Sequence, residues 1–283
     1  YSWVPIGSTQ YIDQATIQEF RDFYKKYYVP NNATLAIAGD IDTEKTKALI
    51  AAYFGDIPRG AEVPRPEVNL PPQTEAVEKE VVRGNTPLPA TLHAWRAPKE
   101  TDPDAYPLEM LGDILSSGRS SRLYRRLVDQ EQVALNVDAF PYFLEKAGMM
   151  GVFATGQGGV KLEQLDKLIN EEVEKVKSQG VTQEEFQKAM NQKEAEFAAA
   201  FGTMQSRARD LARYRVFYGD ANLINTELDR YRAVKREDLQ RVAKKYLTPE
   251  GVNILRFPVP KSPDEKVAPV PNTTPAAEPA TAQ

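Results

Sequence analysis

The amino-acid sequence predicts an α+β fold in which helices cover one face of a mainly antiparallel sheet. Two observations lead to this prediction. Strand-like and helix-like segments follow one another without the strict βαβα order of a doubly wound nucleotide-binding fold, and a long helical run precedes the last strand. One helix–turn–strand phrase also occurs twice, which indicates a duplicated unit.

Composition excludes several classes of protein. The chain has 283 residues, of which 41% are hydrophobic, enough for one or two domains with a sizeable core. A net charge of -4 and a pI near 5.4 argue against a nucleic-acid-binding protein, which usually carries a basic surface. No apolar stretch approaches the roughly 18 residues of a membrane span. The lack of cysteine excludes disulfides, thiolate nucleophiles and cysteine-type zinc sites.

The N-terminal part predicts two helices and a short strand. Residues 14–28 carry apolar side chains at three- and four-residue spacing, which indicates an amphipathic helix that the following proline ends. The run ATLAIAG (33–39) is typical of a short buried strand. Asp42 or Thr43 is placed to cap the next helix, which we expect to end at Gly55.

Proline-rich segments predict the domain boundaries. Five prolines within residues 57–73 indicate a stiff linker, which we place at residues 59–73. Residues 1–58 then form the end of a first unit, and residues 74–260 form a second unit. Residues 261–283 are rich in Pro, Ala and Thr and cannot form a core, so we expect a disordered tail.

The second unit predicts strands and helices in mixed order. In chain order we expect strands at 76–83 and 88–98 around a Gly84–Asn85 turn, a helix from Asp102 or Asp104 to Ser117, a helix over 120–130, antiparallel strands at 133–143 and 147–157, a helix over 162–178, a long helix after Thr182, helices within 206–247, and a strand at 251–259. Thr182 and Glu185 form a capping box, and the helix that they begin is expected to run past Phe201.

The repeated phrase is KKYYVPNNATLAI (25–37) and KKYLTPEGVNILR (244–256). The copies align without gaps at an offset of 219 residues, from Lys25 to Lys244. The alternative is coincidence, since helix–proline–strand is a common connection. If the repeat is real, the second unit is complete and the first lacks the counterpart of residues 74–219. We therefore expect an N-terminal piece of about that length to be missing.

The segment IGSTQYIDQATIQEFRDFYKKYYVPNNATLAIAGDIDTEKTKALIAAYFGDIPRG resembles the end of the first domain of M16 peptidases, the family of insulinase, pitrilysin and the mitochondrial processing peptidase. LGDILSSGRSSRLYRRLVDQEQVA, GVTQEEFQKAMNQ and REDLQRVAKKYLTPE resemble the second domain of compact bacterial members. The resemblance covers about residues 1–258. It implies duplicated M16 peptidase-like (LuxS/MPP-like metallohydrolase) units, of which the first is truncated here.

The resemblance also implies where the chemistry lies. Family members bind zinc through an H-x-x-E-H motif and a downstream Glu, with the motif's own Glu as general base. That motif belongs to the first unit, upstream of the counterpart of Tyr1. His93 is the single histidine of the chain. It is either a lone ligand or base, or a strand histidine packed beside Trp95. We expect no catalytic and no metal-binding residue in this chain, and zinc only in the full-length enzyme.

The family's second domain often contributes an Arg and a Tyr, seven residues apart, that stabilise the oxyanion. Matching that pattern to this sequence places Val128 and Leu135 at those positions, and neither can donate a hydrogen bond. In this respect the chain resembles heteromeric bacterial members, in which one subunit bears zinc and a partner supplies the Arg/Tyr pair.

Three weaker signals remain. Arg119, Arg122 and Arg126 share a helical face, either as a substrate-binding cluster for carboxylates or as a solvated basic surface. ATGQGGV (154–160) lacks the phosphate-loop pattern and is interpreted as a strand-to-helix turn. The aromatic residues within 20–28 are either a recognition surface or, as their helical spacing favours, part of a core.

These observations predict that the chain is the C-terminal part of a bacterial M16-type zinc metallopeptidase. We expect it to form the wall of a chamber for peptides or small unfolded proteins and to be inactive alone. The alternatives are a non-catalytic M16-like scaffold subunit and a free-standing peptide-binding module. Expected partners are the missing zinc-bearing part or an M16 subunit carrying the Arg/Tyr pair, in a dimer or heterodimer, together with peptide substrates. The Pro/Ala/Thr-rich tail, the lack of cysteine and the usual location of family members favour a periplasmic or secreted location.

Overall fold

The computed structural model describes residues 7–65, 67, 70–82 and 86–260, so the predicted Gly84–Asn85 turn and the predicted tail lie outside the described residues. The chain divides into two compact units. Described residues of the first unit are 7–35 and 40–65, whereas 36–39 group with the second unit, which continues from Glu67.

The first unit contains α1 (Thr9–Gln14), α2 (Ile17–Tyr27) and α3 (Thr43–Phe54). The single helix predicted over residues 14–28 is therefore preceded by a separate short helix. The break arises because Thr16 caps α2: its side chain accepts from the Glu19 N–H, and the Glu19 carboxylate accepts from the Thr16 N–H at 2.6 Å. Asp42 caps α3, as predicted, by accepting from the Lys45 N–H at 3.0 Å.

Residues 33–39 form no strand, contrary to the prediction. A strand is stabilised by hydrogen bonds to a neighbouring strand, and none of the described residues pairs with this segment. The apolar pattern alone could not supply that neighbour. Asn31 lies in the turn that follows α2. Its side chain accepts from the Gly60 N–H and donates to the Ala61 carbonyl, which joins this turn to the segment after α3.

The described residues of the second unit form five strands: β1 (Val77–Glu80), β2 (Ala90–Ala97), β3 (Ala134–Phe143), β4 (Gly148–Gly156) and β5 (Val252–Phe257). Their spatial order is β1-β5-β2-β4-β3. The β1–β5 pair is parallel and the other pairs are antiparallel, so the sheet is mainly antiparallel, as predicted. Trp95 in β2 lies opposite Met150 in β4 and Val252 in β5.

Six α-helices belong to the described part of this unit: α4 (Ala105–Ser116), α5 (Leu162–Gln179), α6 (Gln183–Ala200), α7 (Met204–Tyr218), α8 (Glu227–Arg232) and α9 (Arg236–Tyr246). Helices α4, α5 and α9 pack on the sheet, and Leu111, Leu165 and Leu239 from these helices are fully buried with Met150. The fold is therefore α+β with a helix-covered sheet. In the described part of the chain, no helix is both long and apolar enough to span a membrane.

Two helices differ from prediction. Helix α6 ends at Ala200 because Thr203 starts α7, with its side chain accepting from the Ser206 N–H at 3.1 Å. The helix predicted over residues 120–130 winds as a π-helix over Tyr124–Gln130, after which the Glu131 N–H bonds to the carbonyl five residues earlier. The wider winding accompanies the full burial of Leu127.

The β3 edge of the sheet is closed rather than open. The Ser116 side chain at the end of α4 accepts from the Ala139 N–H at 2.7 Å and donates to the Ala139 carbonyl at 3.2 Å. Pro141 removes a further N–H from the strand. These features oppose the pairing of another strand along β3.

Candidate functional site

His93 is fully buried in β2 and points toward α5. Its Nε2 lies 2.9 Å from Oδ1 of Asp166, and its ring centroid is 6.0 Å from that of Trp95. The Thr91 hydroxyl donates to the same Asp166 oxygen at 2.6 Å, and Arg256 Nε donates to Oδ2 at 2.5 Å. The single histidine is thus part of a buried network that joins β2, α5 and β5.

The Asp166 carboxyl is held in its charged form. Burial alone would raise its pKa, but the hydrogen bonds from His93, Thr91 and Arg256 outweigh burial and keep the pKa below its usual range. The carboxylate oxygens are therefore occupied by donors. Arg256 also reaches the Glu78 carboxylate at 2.7 Å, which extends the network to β1.

These residues do not fit a zinc ion. A catalytic zinc site needs three protein ligands and a free position. Here His93 and Asp166 together would supply only two. The Arg256 guanidinium, bonded to the same carboxylate, would repel a metal cation. His93 Nδ1 is buried and has no hydrogen-bond partner among the described residues, and one nitrogen cannot complete a site. Among described residues, no group of three His, Asp or Glu could hold a metal.

The three predicted arginines do not form one site. Arg122 donates from Nε and Nη2 to the two Glu185 oxygens, both at 2.7 Å, and from Nη2 to the Gly180 carbonyl at 3.1 Å. Burial would raise the Glu185 pKa, but the Arg122 hydrogen bonds outweigh it and lower the pKa. Arg119 is exposed and makes no ion pair in the described part of the chain.

Arg126 is also engaged within the second unit. Its guanidinium lies 2.8 Å from the Glu131 carboxylate and 3.4 Å from that of Glu171. These pairs tie the π-helical segment to α5 and to the turn before β3. Of the three candidates, Arg119 alone keeps a charge that the described residues do not compensate.

The positions that the sequence match assigns to the Arg/Tyr pair carry aliphatic side chains. Val128 is partly buried against the core, and Leu135, at the start of β3, is 52% exposed. Between them lies Gln132, with a φ of 53°, a left-handed conformation that is uncommon for residues other than glycine. Neither side chain can donate a hydrogen bond to an oxyanion.

A groove of about 480 Å³ lies beside β3. Its apolar lining residues are Ala139, Phe140, Pro141 and Phe143. Its charged lining residues are Glu100, Glu109, Asp113, Lys193 and Arg213. Pockets that bind peptides or small molecules combine apolar walls with a few polar groups in this way.

Lys193 is the residue of this groove that the sequence analysis missed. It is 6% exposed, and its Nζ lies 2.8 Å from Glu109, 2.9 Å from Asp113 and 3.0 Å from Glu196. Burial would lower its pKa, but the Glu109 and Asp113 carboxylates outweigh burial and raise it. The sequence signal was its helical spacing from the buried Ala189, which places a lysine on the apolar face of α6.

The helix that precedes each copy of the repeated turn is also repeated in the structure. Helices α2 and α9 are 11 residues each and begin and end at corresponding residues. In both, the acidic side chain of the first turn accepts from the capping backbone N–H. The ammonium of Lys26 lies 5.2 Å from the centroid of the Tyr27 ring, as that of Lys245 lies 4.8 Å from the Tyr246 ring.

The second unit is an α+β fold with a helix-covered sheet, and the helix that precedes its last strand has a counterpart in the first unit. The family model "Peptidase M16 inactive domain" matches residues 14–193, and the chain belongs to this family. Two relatives are the zinc protease PqqE of Helicobacter pylori, 28% identical over 87% of this chain and 56% of that protein, and an uncharacterized zinc protease of Streptomyces coelicolor, 22% identical over 86% and 53%. The chain spans about half the length of these curated relatives.

Solved structures show the same fold. A protease from Helicobacter pylori superposes with a TM-score of 0.84 at 25% identity over 91% of this chain and 62% of that one. The M16 inactive domain from Pseudomonas fluorescens gives 0.76 at 16% identity over 94% and 62%. The periplasmic protease PqqL from Escherichia coli gives 0.64 at 19% identity over 79% and 25%.

Proposed function

We propose that this chain forms part of the substrate-chamber wall of a bacterial M16-type zinc metallopeptidase that cleaves peptides or small unfolded proteins. The supporting observation is the burial of His93 in its bond to Asp166, at 2.9 Å, within a family whose relatives are named zinc proteases. The single histidine contributes to folding, so zinc is bound by another part of the protein or by a partner subunit.

The groove beside β3 is the proposed peptide-facing surface. Its apolar lining at Pro141 and Phe143 suits apolar side chains, and its charged lining suits polar groups of a peptide. Arg119 is a second proposed contact, since its exposed guanidinium can bind a carboxylate. Arg122 and Arg126 are proposed to support the chamber wall through their internal ion pairs rather than to bind substrate.

The proposed partners are a zinc-bearing M16 unit, in the same polypeptide or in a second subunit, and peptide substrates. Support comes from the length of the relatives, of which this chain matches about half, and from the lack of donors at Val128 and Leu135. A periplasmic or secreted location is proposed from the similarity to PqqL.

Zinc content and peptide cleavage test this function. Residues 1–283 purified alone are expected to bind no stoichiometric zinc and to leave a fluorogenic peptide intact. The intact protein, isolated from its source cells with any subunits it retains, is expected to cleave the peptide and to lose activity on chelation. Zinc-dependent cleavage by residues 1–283 alone contradicts the proposal. An intact protein without zinc and without cleavage indicates a scaffold subunit instead.

A further inference from the structure

A second cavity of the second unit, the α8 cavity, has a volume of about 510 Å³ and lies where α8 and α9 meet the start of α4. It shares no lining residue with the groove beside β3. Its apolar lining residues are Pro103, Pro107, Ala233 and Val234, and the Tyr106 side chain adds an aromatic ring. A cavity of this size with such a lining suits a small organic group.

Three charged residues line the α8 cavity, and two of them neutralise each other. Arg241 Nε donates to the Asp238 carboxylate at 3.1 Å, and Arg241 Nη1 donates to the Asp104 carboxylate at 2.8 Å. The second Asp238 oxygen accepts from the Lys235 N–H at 2.9 Å. The third charged residue, Arg230, therefore sets the charge that the cavity presents to a ligand.

The Arg230 guanidinium is held in place but forms no ion pair with the residues that the structure describes. Its Nη1 donates to the Tyr106 hydroxyl at 2.9 Å. Its central carbon lies 5.9 Å from the centroid of the Tyr106 ring and 5.5 Å from that of the Tyr218 ring. A guanidinium held by two aromatic rings and a hydrogen bond loses little entropy when it binds an anion.

The carboxylates near Arg230 do not cancel its charge. Glu227, three residues earlier, is 7% exposed, and its contact with Arg230 runs through the Tyr106 hydroxyl, which lies 3.2 and 3.3 Å from the two Glu227 oxygens. Burial raises the pKa of the Glu227 carboxyl and so favours its neutral form. Asp229 pairs with Arg232 at 3.6 Å. The α8 cavity therefore presents one positive charge beside an apolar lining.

We infer that the α8 cavity binds a small carboxylate ligand with an apolar body, and that Arg230 binds the carboxylate. The planar guanidinium matches a carboxylate with two parallel hydrogen bonds, and a single uncompensated charge suits a singly charged anion. The Thr101 hydroxyl lines the cavity, makes no hydrogen bond to a described residue and is a second donor for the ligand. The C-terminus of a peptide and a free organic acid share this chemistry. The site does not depend on the proposed peptidase function.

Ligand-observed NMR titration of the intact protein tests the site. The probe N-acetyl-phenylalanine has a carboxylate and an apolar ring, whereas its amide keeps the ring without the charge. We expect the acid to bind at least about tenfold more tightly than the amide, because the amide cannot accept a charge-assisted hydrogen bond. Acetate, with the charge and almost no apolar body, should also bind at least about tenfold more weakly than the acid. Equal binding of the acid and its amide overturns the inference.

Matched variants assign the binding to Arg230. Arg230→Gln keeps a donor for Tyr106 but removes the charge, so it should weaken binding of the acid at least about tenfold. Arg232→Gln is the control on the same helix, because Arg232 pairs with Glu194 at 2.9 Å and does not line the cavity, and it should leave binding unchanged. Equal binding by the wild type and Arg230→Gln overturns the inference.

A second variant covers a failure of Arg230→Gln to fold, which thermal unfolding detects. Ala233 is exposed at the end of α8 and lines the cavity, so Ala233→Leu fills the cavity without disturbing the core. It should weaken binding of the acid, and unchanged binding overturns the inference.

A further probe, 4-phenylbutyrate, distinguishes the two sources of the carboxylate. Tighter binding of N-acetyl-phenylalanine indicates a peptide C-terminus, and equal or tighter binding of 4-phenylbutyrate indicates a free organic acid. Both results support the site. Binding of the acid by an intact protein that neither holds zinc nor cleaves peptides supports the site and contradicts only the proposed peptidase.

Discussion

Tyr246 in α9 donates a hydrogen bond of 2.8 Å to Asp104, which precedes α4. Burial would raise the pKa of the Asp104 carboxyl, but hydrogen bonds from Lys245, Arg241 and Tyr246 outweigh it, and the pKa lies below its usual range. Residues 142 positions apart in the chain are thus joined through one charged oxygen, and the contact orients α9 on α4.

Removing this contact is expected to lower stability in a graded way. Tyr246→Phe should cost about 1 kcal/mol, and Asp104→Ala about 2 to 3 kcal/mol, because the carboxylate accepts charge-assisted bonds. Urea unfolding at pH 7 measures both. Tyr142→Phe is the control, since this exposed tyrosine should change the free energy of unfolding by less than about 0.5 kcal/mol.

The same carboxyl predicts a pH dependence. Its folded-state pKa is lower than its unfolded-state pKa, so its stabilisation is complete above the unfolded value, near 4, and is lost as the pH falls toward the folded value. Stability measured between pH 6 and pH 3 should therefore fall less steeply in Asp104→Asn than in the wild type. Equal slopes in the two proteins contradict this account.

Asp166 is expected to be essential for stability. Asp166→Ala leaves the buried His93 and Thr91 without their acceptor and removes one of the two carboxylates that Arg256 binds, which should cost about 3 to 5 kcal/mol. Asp129→Ala, at an exposed position, should cost less than about 0.5 kcal/mol. Thermal unfolding of the two variants checks the difference, and a mild Asp166→Ala variant would show that the network is not structural.

The arginines should separate into two groups. Arg122→Ala should lower stability by about 1 to 3 kcal/mol, because it leaves the partly buried Glu185 without its two charge-assisted bonds. Arg119→Ala should leave stability unchanged within about 0.5 kcal/mol. In the intact protein, Arg119→Ala should raise KM for acidic peptides about threefold with kcat unchanged. An unchanged KM removes Arg119 from the proposed substrate contacts.

Gln132 holds a left-handed backbone conformation, with a φ of 53°. Gln132→Gly relieves this strain and should raise stability by about 0.5 kcal/mol, whereas the β-branched Gln132→Val should lower it by more than about 1 kcal/mol. Chemical denaturation of both variants gives the sign of each change. A loss of stability in Gln132→Gly contradicts the strain at this turn.

Lys193 is expected to stabilise the packing of α6 on α4. Lys193→Ala leaves Glu109 and Asp113 facing each other without the shared cation and should cost about 3 kcal/mol or more. Lys167→Ala is the matched control on α5, because its side chain is 76% exposed and its ion pair contributes little. Equal unfolding midpoints for the two variants contradict the assigned role.

Local patterns in the sequence were sufficient for much of the fold. The apolar spacing of α5, the Asp42 cap and the Thr182–Glu185 capping box depend on residues a few positions apart, and the structure contains each of them. The strand predicted at 33–39 was wrong because a strand depends on a neighbour distant in the chain. The domain bounds at residues 59–73 stay a prediction.

The sequence by itself determined the type and order of most elements, the repeat of one helix, and the presence of one histidine. Only the tertiary structure decided the use of the charged groups. Arg122 and Glu185 are 63 positions apart, and His93 and Asp166 are 73 apart, so no local spacing predicts their contact. Helical periodicity shows which residues share a face, whereas burial and ion pairing depend on what packs against that face, as the contrast between Phe23 and Val242 shows.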